Sequence, residues 1–299
     1  MSLWTRELAL LGLGAWLVAC GSAATGSTDT VAADTAADTA TSDGAAVTDA
    51  ATDADSEQAA GTVEPDTAPS DAATDDAADA AANAADVDAT APPKTTAFGT
   101  ITGACGLVSA QLATAAPSFL VTHYAFTGAS FDPTPLEAGA KKRYDGVNAG
   151  GSSKCSEVMS MQLLVDCEGG GGIVTETEIQ YDAGATSITD FAMTIAGSKV
   201  GVSVTRAYLG PKVTTYTQAD AVKLLTKKLE GINASTAHVL PAHKWTKQVL
   251  SVWTLHDDWV PTLQAAWNGL SAELRSDTVV LVTVEQGPSW IVTDDCGAP

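Results

Sequence analysis

IVTETEIQYDAGATSITDFAMTIAGSKVGVSVTRAY, residues 173–208, decides the fold. Three segments in it alternate apolar with polar residues and are rich in Val, Ile and Thr, which predicts strands over Ile173–Tyr181, Ser187–Ile195 and Lys199–Tyr208. Gly197 falls between the last two and predicts a hairpin turn. Upstream, Ser152 and Ser153 can cap a helix over Cys155–Leu164, with Val158, Met161 and Leu164 on one face. Cys167 and the glycines 169–172 stop it. Downstream, Thr217 and Asp220 have capping-box spacing, and Val222, Leu225, Leu229 and Ile232 recur at helical period. A strand over Lys247–Leu255 follows, then a helix over Val260–Leu274 with Pro261 in its first turn. Thr278–Glu285 and Ser289–Val292 read as closing strands, Cys105–Ala115 as a short helix or irregular lead-in, and Phe131–Gly151 as a loop. A meander followed by alternating helices and strands gives an α/β fold, a mixed sheet flanked by helices.

The formal charge of −21 is unevenly distributed. Residues 21–98 hold 16 acids against the single base Lys94, or −15, whereas residues 99–299 hold 19 acids and 13 bases, or −6. The folded part therefore lacks the basic excess of many nucleic-acid binders. The acidic stretch is Ala, Asp and Thr with no aromatic residue, Leu or Ile. It has too little apolar surface to offset its ordering entropy, so residues 20–98 are expected to form a disordered tether.

Ahead of it lie Arg6, an apolar run from Leu8 to Val18, and Leu17-Val18-Ala19-Cys20. This pattern resembles bacterial lipoprotein signals. The resemblance implies a signal peptide over 1–19, acylation of Cys20, and a membrane anchor in the cell envelope, with Gly21 compatible with the outer membrane. Four cysteines remain in the folded part: Cys105, Cys155, Cys167 and Cys296. An even count in an exported chain suggests two disulfides. A continuous helix would hold Cys155 and Cys167 roughly 18 Å apart, beyond disulfide reach. Cys105 then pairs with one of them and Cys296 with the other.

The helix–strand–strand–strand–helix–strand order, with AGGSSKCSE at Glu157, TETEIQYD at Glu178, ITDF at Asp190 and VGVSVTRA through Arg206, resembles the restriction-endonuclease-like core of the PD-(D/E)XK nuclease superfamily. The resemblance covers about residues 150–255. It implies an αβββαβ core and metal-dependent phosphodiester hydrolysis, with Mg²⁺ or Mn²⁺ on Glu178 and Asp190, Glu157 supplied by the preceding helix, and Arg206 near phosphate. The third strand departs from the family pattern: Ser203 and Thr205 stand where an acid and a lysine are expected. Arg206 should face the other side of that strand unless a bulge turns it. Glu176 shares a strand face with Glu178 and would compensate for the missing acid.

Each residue also has an ordinary structural explanation. Glu157 suits a helix first turn, and Glu176 and Glu178 suit the solvent face of a half-buried strand. Asp190, between Ile188 and Phe191, needs a partner. Arg206 suits an ion pair with one of these acids. Lys227 and Lys228, with Lys244 and Lys247 beyond, form a basic cluster that can hold phosphates, but the first two better suit a helix C-terminus; the five tryptophans from Trp245 to Trp290 can stack bases but better suit a core. No GxSxG, P-loop, HExxH or dinucleotide fingerprint is present. Two functions are therefore expected of the sequence. One is a metal-dependent nuclease with nucleic acid as partner. The other is a non-catalytic envelope or cell-surface binding module that keeps the fold.

Overall fold

A computed structural model describes residues 91–146 and 153–297. In chain order these residues form β1 (Ala91–Thr95), β2 (Gly99–Gly103), α1 (Val108–Leu112), β3 (Ser118–Phe126), α2 (Ala138–Asp145), α3 (Lys154–Glu168) and β4 (Gly171–Thr175). Then come β5 (Phe191–Ile195), β6 (Ser198–Arg206), α4 (Gln218–His238), β7 (Lys247–Thr254), α5 (Val260–Gly269), α6 (Ala272–Arg275) and β8 (Val279–Gln286). The strands make one mixed sheet in the order β1-β2-β3-β8-β7-β6-β5-β4. The four middle strands are parallel, and the two outer strands on each side are antiparallel.

The two-residue period of the strands splits the core into two layers. Val200, Val202 and Val204 of β6 join Val249 and Trp253 of β7 and the inner face of α3. The alternate positions, Leu250, Val252, Val280 and Val282, pack under α4 and α5 with Leu225, Leu229, Ile232, Leu263 and Trp267. Every residue of β7 is buried, as a parallel strand covered on both faces requires. α4 connects the parallel strands β6 and β7, and α5 with α6 connects β7 and β8. The Thr217–Asp220 capping box opens α4. Ala196 and Gly197, both at positive φ, turn β5 into β6.

Several sequence expectations are corrected. Phe131–Gly151 contains α2, opened by Glu137 accepting from Gly139 N at 2.6 Å. Its run Lys141-Lys142-Arg143 looks solvated, yet Ala140, Arg143 and Tyr144 are buried. The strand expected over Ile173–Tyr181 stops at Thr175, because Glu178 folds back to accept from Thr175 N and Oγ1. Ser289–Val292 is a turn rather than a strand, with Glu285 accepting from Ile291 N and Val292 N at 2.8 Å each. The helix expected over Val260–Leu274 is split where Ser271 caps α6. The sheet begins at Ala91, inside the expected tether, and its strands β2 and β3 were not foreseen. The expected signal peptide, Cys20 and the tether up to residue 90 lie outside the described residues.

α3 is continuous and keeps Cys155 apart from Cys167. The disulfides are Cys105–Cys167 and Cys155–Cys296, with Cα–Cα distances of 4.8 and 5.8 Å. The second ties the C-terminal turn to the first turn of α3.

Candidate functional site

β5 begins at Phe191, opposite Val202, so on that side β6 at Val204 has no strand beside it. Two charged side chains take the place of the missing strand. Asp190 Oδ2 accepts from Val204 N at 2.6 Å, and Lys228 Nζ, from the middle of α4, donates to Val204 O at 2.8 Å. Both backbone groups are thereby satisfied. Burial pushes the Asp190 carboxyl up to about 6; Lys228 pulls it down, while Glu157 and Glu176 push it up. Asp190 is held through its neighbour Thr189, whose N–H donates to Tyr181 Oη at 2.8 Å. The buried Thr189 hydroxyl reaches Ser235 Oγ at 3.0 Å and Gln248 Oε1 at 3.3 Å.

Glu157 stands in the first turn of α3, buried beside this pair. Its Oε2 accepts from Arg143 Nε at 2.7 Å and its Oε1 from Ser153 Oγ at 2.6 Å. Glu176 is pushed up by burial and then by Glu157. Arg206 Nη1 donates to Val292 O at 2.8 Å. Burial pushes the nearby Glu285 up to about 7, against its two backbone hydrogen bonds and the Arg206 charge. An open cleft of about 200 Å³ is lined by Ser153, Asp190, Val204, Thr205, Arg206, Tyr208 and Lys228.

Glu157 lies near enough to Asp190 to raise its carboxyl pKa, and Arg206 lines the same cleft as Asp190. Glu178 does not join them. Lys142, then Thr175, hold its carboxyl down at about 2, on a turn away from the cleft. Its role as a metal ligand beside Asp190 has no support in this placement. No bulge turns Arg206, since the β6–β7 pairing runs unbroken from Val200 to Arg206. It reaches the cleft because the strand ends there. Mg²⁺ and Mn²⁺ require several converging oxygens. Both Glu157 oxygens are already engaged, Glu178 is elsewhere, and among the described residues no three His, Cys, Asp or Glu side chains are grouped to hold a metal. The residues present do not fit the expected metal.

Arg143 and Glu285 were missed as members of the site, and Lys228 was assigned to a helix end in preference to a phosphate-holding cluster. Lys228 looked like a helix-end lysine because α4 runs six residues beyond Ile232, to His238. The sequence signal that points to it is its place one turn after Leu224 and Leu225, on the flank of the buried stripe.

No protein-family profile matches the chain, and no solved structure matches it. The chain is 40% identical over 153 residues to the AAC-rich mRNA clone AAC4 protein of Dictyostelium discoideum, covering 49% of this chain and 22% of that protein. The chain therefore spans about a fifth of the length of that relative. This similarity corrects the expected address. The relative belongs to a eukaryote, whereas lipobox processing and the outer membrane are bacterial features, so the bacterial lipoprotein and cell-envelope placement is overturned. Among the described residues no helix is long and apolar enough to cross a membrane.

Proposed function

We propose that the domain binds a small ligand bearing an oxyanion in the cleft between α4 and the C-terminal end of β6. One observation carries this reading: Asp190 and Lys228 clasp the Val204 peptide while Arg206 lines the same cleft. An ammonium has three protons, and Val204 O takes one from Lys228. Protonated Asp190 adds a donor, and its raised pKa makes that form accessible near neutral pH. The cleft lies at the carboxyl end of a parallel strand, the usual position for ligands in open α/β sheets.

The test is calorimetric titration of the full chain with sodium sulfate at pH 5.5. Saturable binding that weakens by about tenfold or more in Lys228→Met supports the reading. Identical affinities in the two proteins refute it.

The second reading is metal-dependent phosphodiester hydrolysis. The run α3, β4, β5, β6, α4, β7, together with Glu157 beside Asp190, favours it. Cleavage of single- or double-stranded DNA or RNA that requires Mn²⁺ and is lost in Asp190→Ala would support it over simple binding.

A further inference from the structure

Glu285, at the carboxyl end of β8, is 3% exposed, and its two oxygens bond a single short segment, accepting from Ile291 N and Val292 N. That segment, from Gly287 to Cys296, is a strap with two fixed ends. At its start Gly287 has a φ of +92°, and a Cβ there would meet Phe126 O at 2.9 Å, so glycine is what lets the chain turn back off β8. At its far end the Cys155–Cys296 disulfide fixes it to α3. Between these points the holds are non-covalent. Glu285 takes the two amides, Arg206 Nη1 donates to Val292 O, and Asp294 Oδ1 accepts from Cys155 N at 2.8 Å. Ile291 and Val292 are fully buried, which keeps the strap closed most of the time. The middle can still lift while both ends stay anchored.

Docking the strap takes the Glu285 carboxyl out of water, and lifting it returns the carboxyl to water. A buried carboxyl either bears the desolvation of its charge or takes up a proton. Arg206 of β6 pulls it down, but burial prevails. Tyr124, its register partner on β3, is bonded to Thr96. On the first turn of α3, Lys154 donates to Gly146 O, and Glu157 accepts from Arg143 and Ser153. On the strap itself, Asp294 is turned to Cys155 N. We propose that this strap is a proton-coupled latch, closed over a protonated Glu285 and opened locally more often once that carboxyl ionises. Opening breaks the bond from Arg206 to Val292 O and so alters the cleft that Arg206 lines, whatever that cleft binds. Between 4.5, the ordinary value, and about 7, the closed strap holds a proton that the open strap releases. The closed form keeps its full advantage below 4.5 and loses it as the pH rises through about 7.

The experiment is amide hydrogen exchange on the oxidised full chain, without ligand, from pH 5.5 to pH 8.5. Rates are divided by the unfolded-chain rate at each pH, which removes the base catalysis of exchange itself. Protection at Ile291 and Val292 should lie below that of Val252 in the middle of β7, which reports global unfolding. Across the range it should fall by about thirtyfold, most of it below pH 7. In Glu285→Gln, which keeps an acceptor and cannot ionise, protection at the two amides should stay level. Protection equal to that of Val252 at every pH would show that no local opening exists and overturn the latch. So would a fall of the same size in Glu285→Gln. Should that variant not fold, the wild type decides alone: the Glu285 side-chain carboxyl ¹³C resonance should titrate near 7, and titration near 4.5 would overturn the proton coupling.

Discussion

Replacing Asp190 by Asn stabilises the protein increasingly as the pH rises from 4 to 6. In the folded protein burial raises this carboxyl from 3.8 to about 6. Between those values the folded state holds a proton that the unfolded chain releases. The stability Asp190 contributes is therefore complete below about 3.8 and is lost as the pH rises through about 6. The rise corresponds to at most about 3 kcal/mol at neutral pH. Asn keeps an acceptor for Val204 N and carries no charge to desolvate. The charge assistance of that hydrogen bond exists only in the ionised form and is already contained in the folded-state pKa, so it adds nothing further to the slope. Glu285 also titrates upward, but it is present in both proteins and cancels in the difference. Urea unfolding of both oxidised proteins at half-unit steps from pH 4 to pH 8 gives the comparison. The stability of Asp190→Asn relative to wild type should climb by up to about 3 kcal/mol and level off above pH 7. A difference that stays flat across the range refutes the desolvated carboxyl.

Other outcomes follow from the same contacts. Arg143→Met strands the buried Glu157 carboxylate and should cost about 3–5 kcal/mol in urea unfolding; adding Glu157→Gln should recover part of that loss. Peptide mapping under non-reducing conditions should link Cys105 to Cys167 and Cys155 to Cys296. The chain-entropy model makes removal of the Cys155–Cys296 bridge, which spans 141 residues, the costlier, at about 5 kcal/mol against about 4 for the 62-residue loop. Sulfate keeps its charge across this range, so its affinity should fall as the pH rises through about 6, where Asp190 becomes an anion; in Asp190→Asn that pH dependence should vanish.

The part of the fold from α3 to β8 was legible because its patterns are strong. The capping box at Thr217, the hairpin at Gly197 and the apolar, β-branched centre of β7 each point to one local structure. β3 escaped because Ser118–Phe126 carries no turn signals of the hairpin kind; it pairs with β8, some 160 positions away in sequence, and only the fold reveals that. β1 escaped because Ala91–Thr95 continues the Ala, Pro and Thr composition of the acidic stretch, and its burial is slight. α2 was masked by its three consecutive cations, one of which is buried against Glu157.

For the site, Asp190 was legible as an acid among apolar neighbours that needed a partner. That the partner is the Val204 peptide was not, because it depends on where β5 begins. Glu178 misled for the converse reason: alternation placed it on a strand, but its own carboxyl ends that strand by bonding Thr175. Ser203 and Thr205 first appeared as a gap in a catalytic pattern. In the folded protein Thr205 lines the cleft beside Arg206, and Ser203 lines a second cleft beside Lys227.

The claim that β6 ends in an oxyanion site is tested most directly by amide NMR during sulfate titration at pH 5.5. The Val204 N–H is bonded to Asp190, so a change in that carboxyl or in Lys228 must move its resonance. The account predicts saturable shifts centred on Val204, Thr205 and Arg206, absent in Lys228→Met. Shifts centred elsewhere, or unchanged by that substitution, would contradict it.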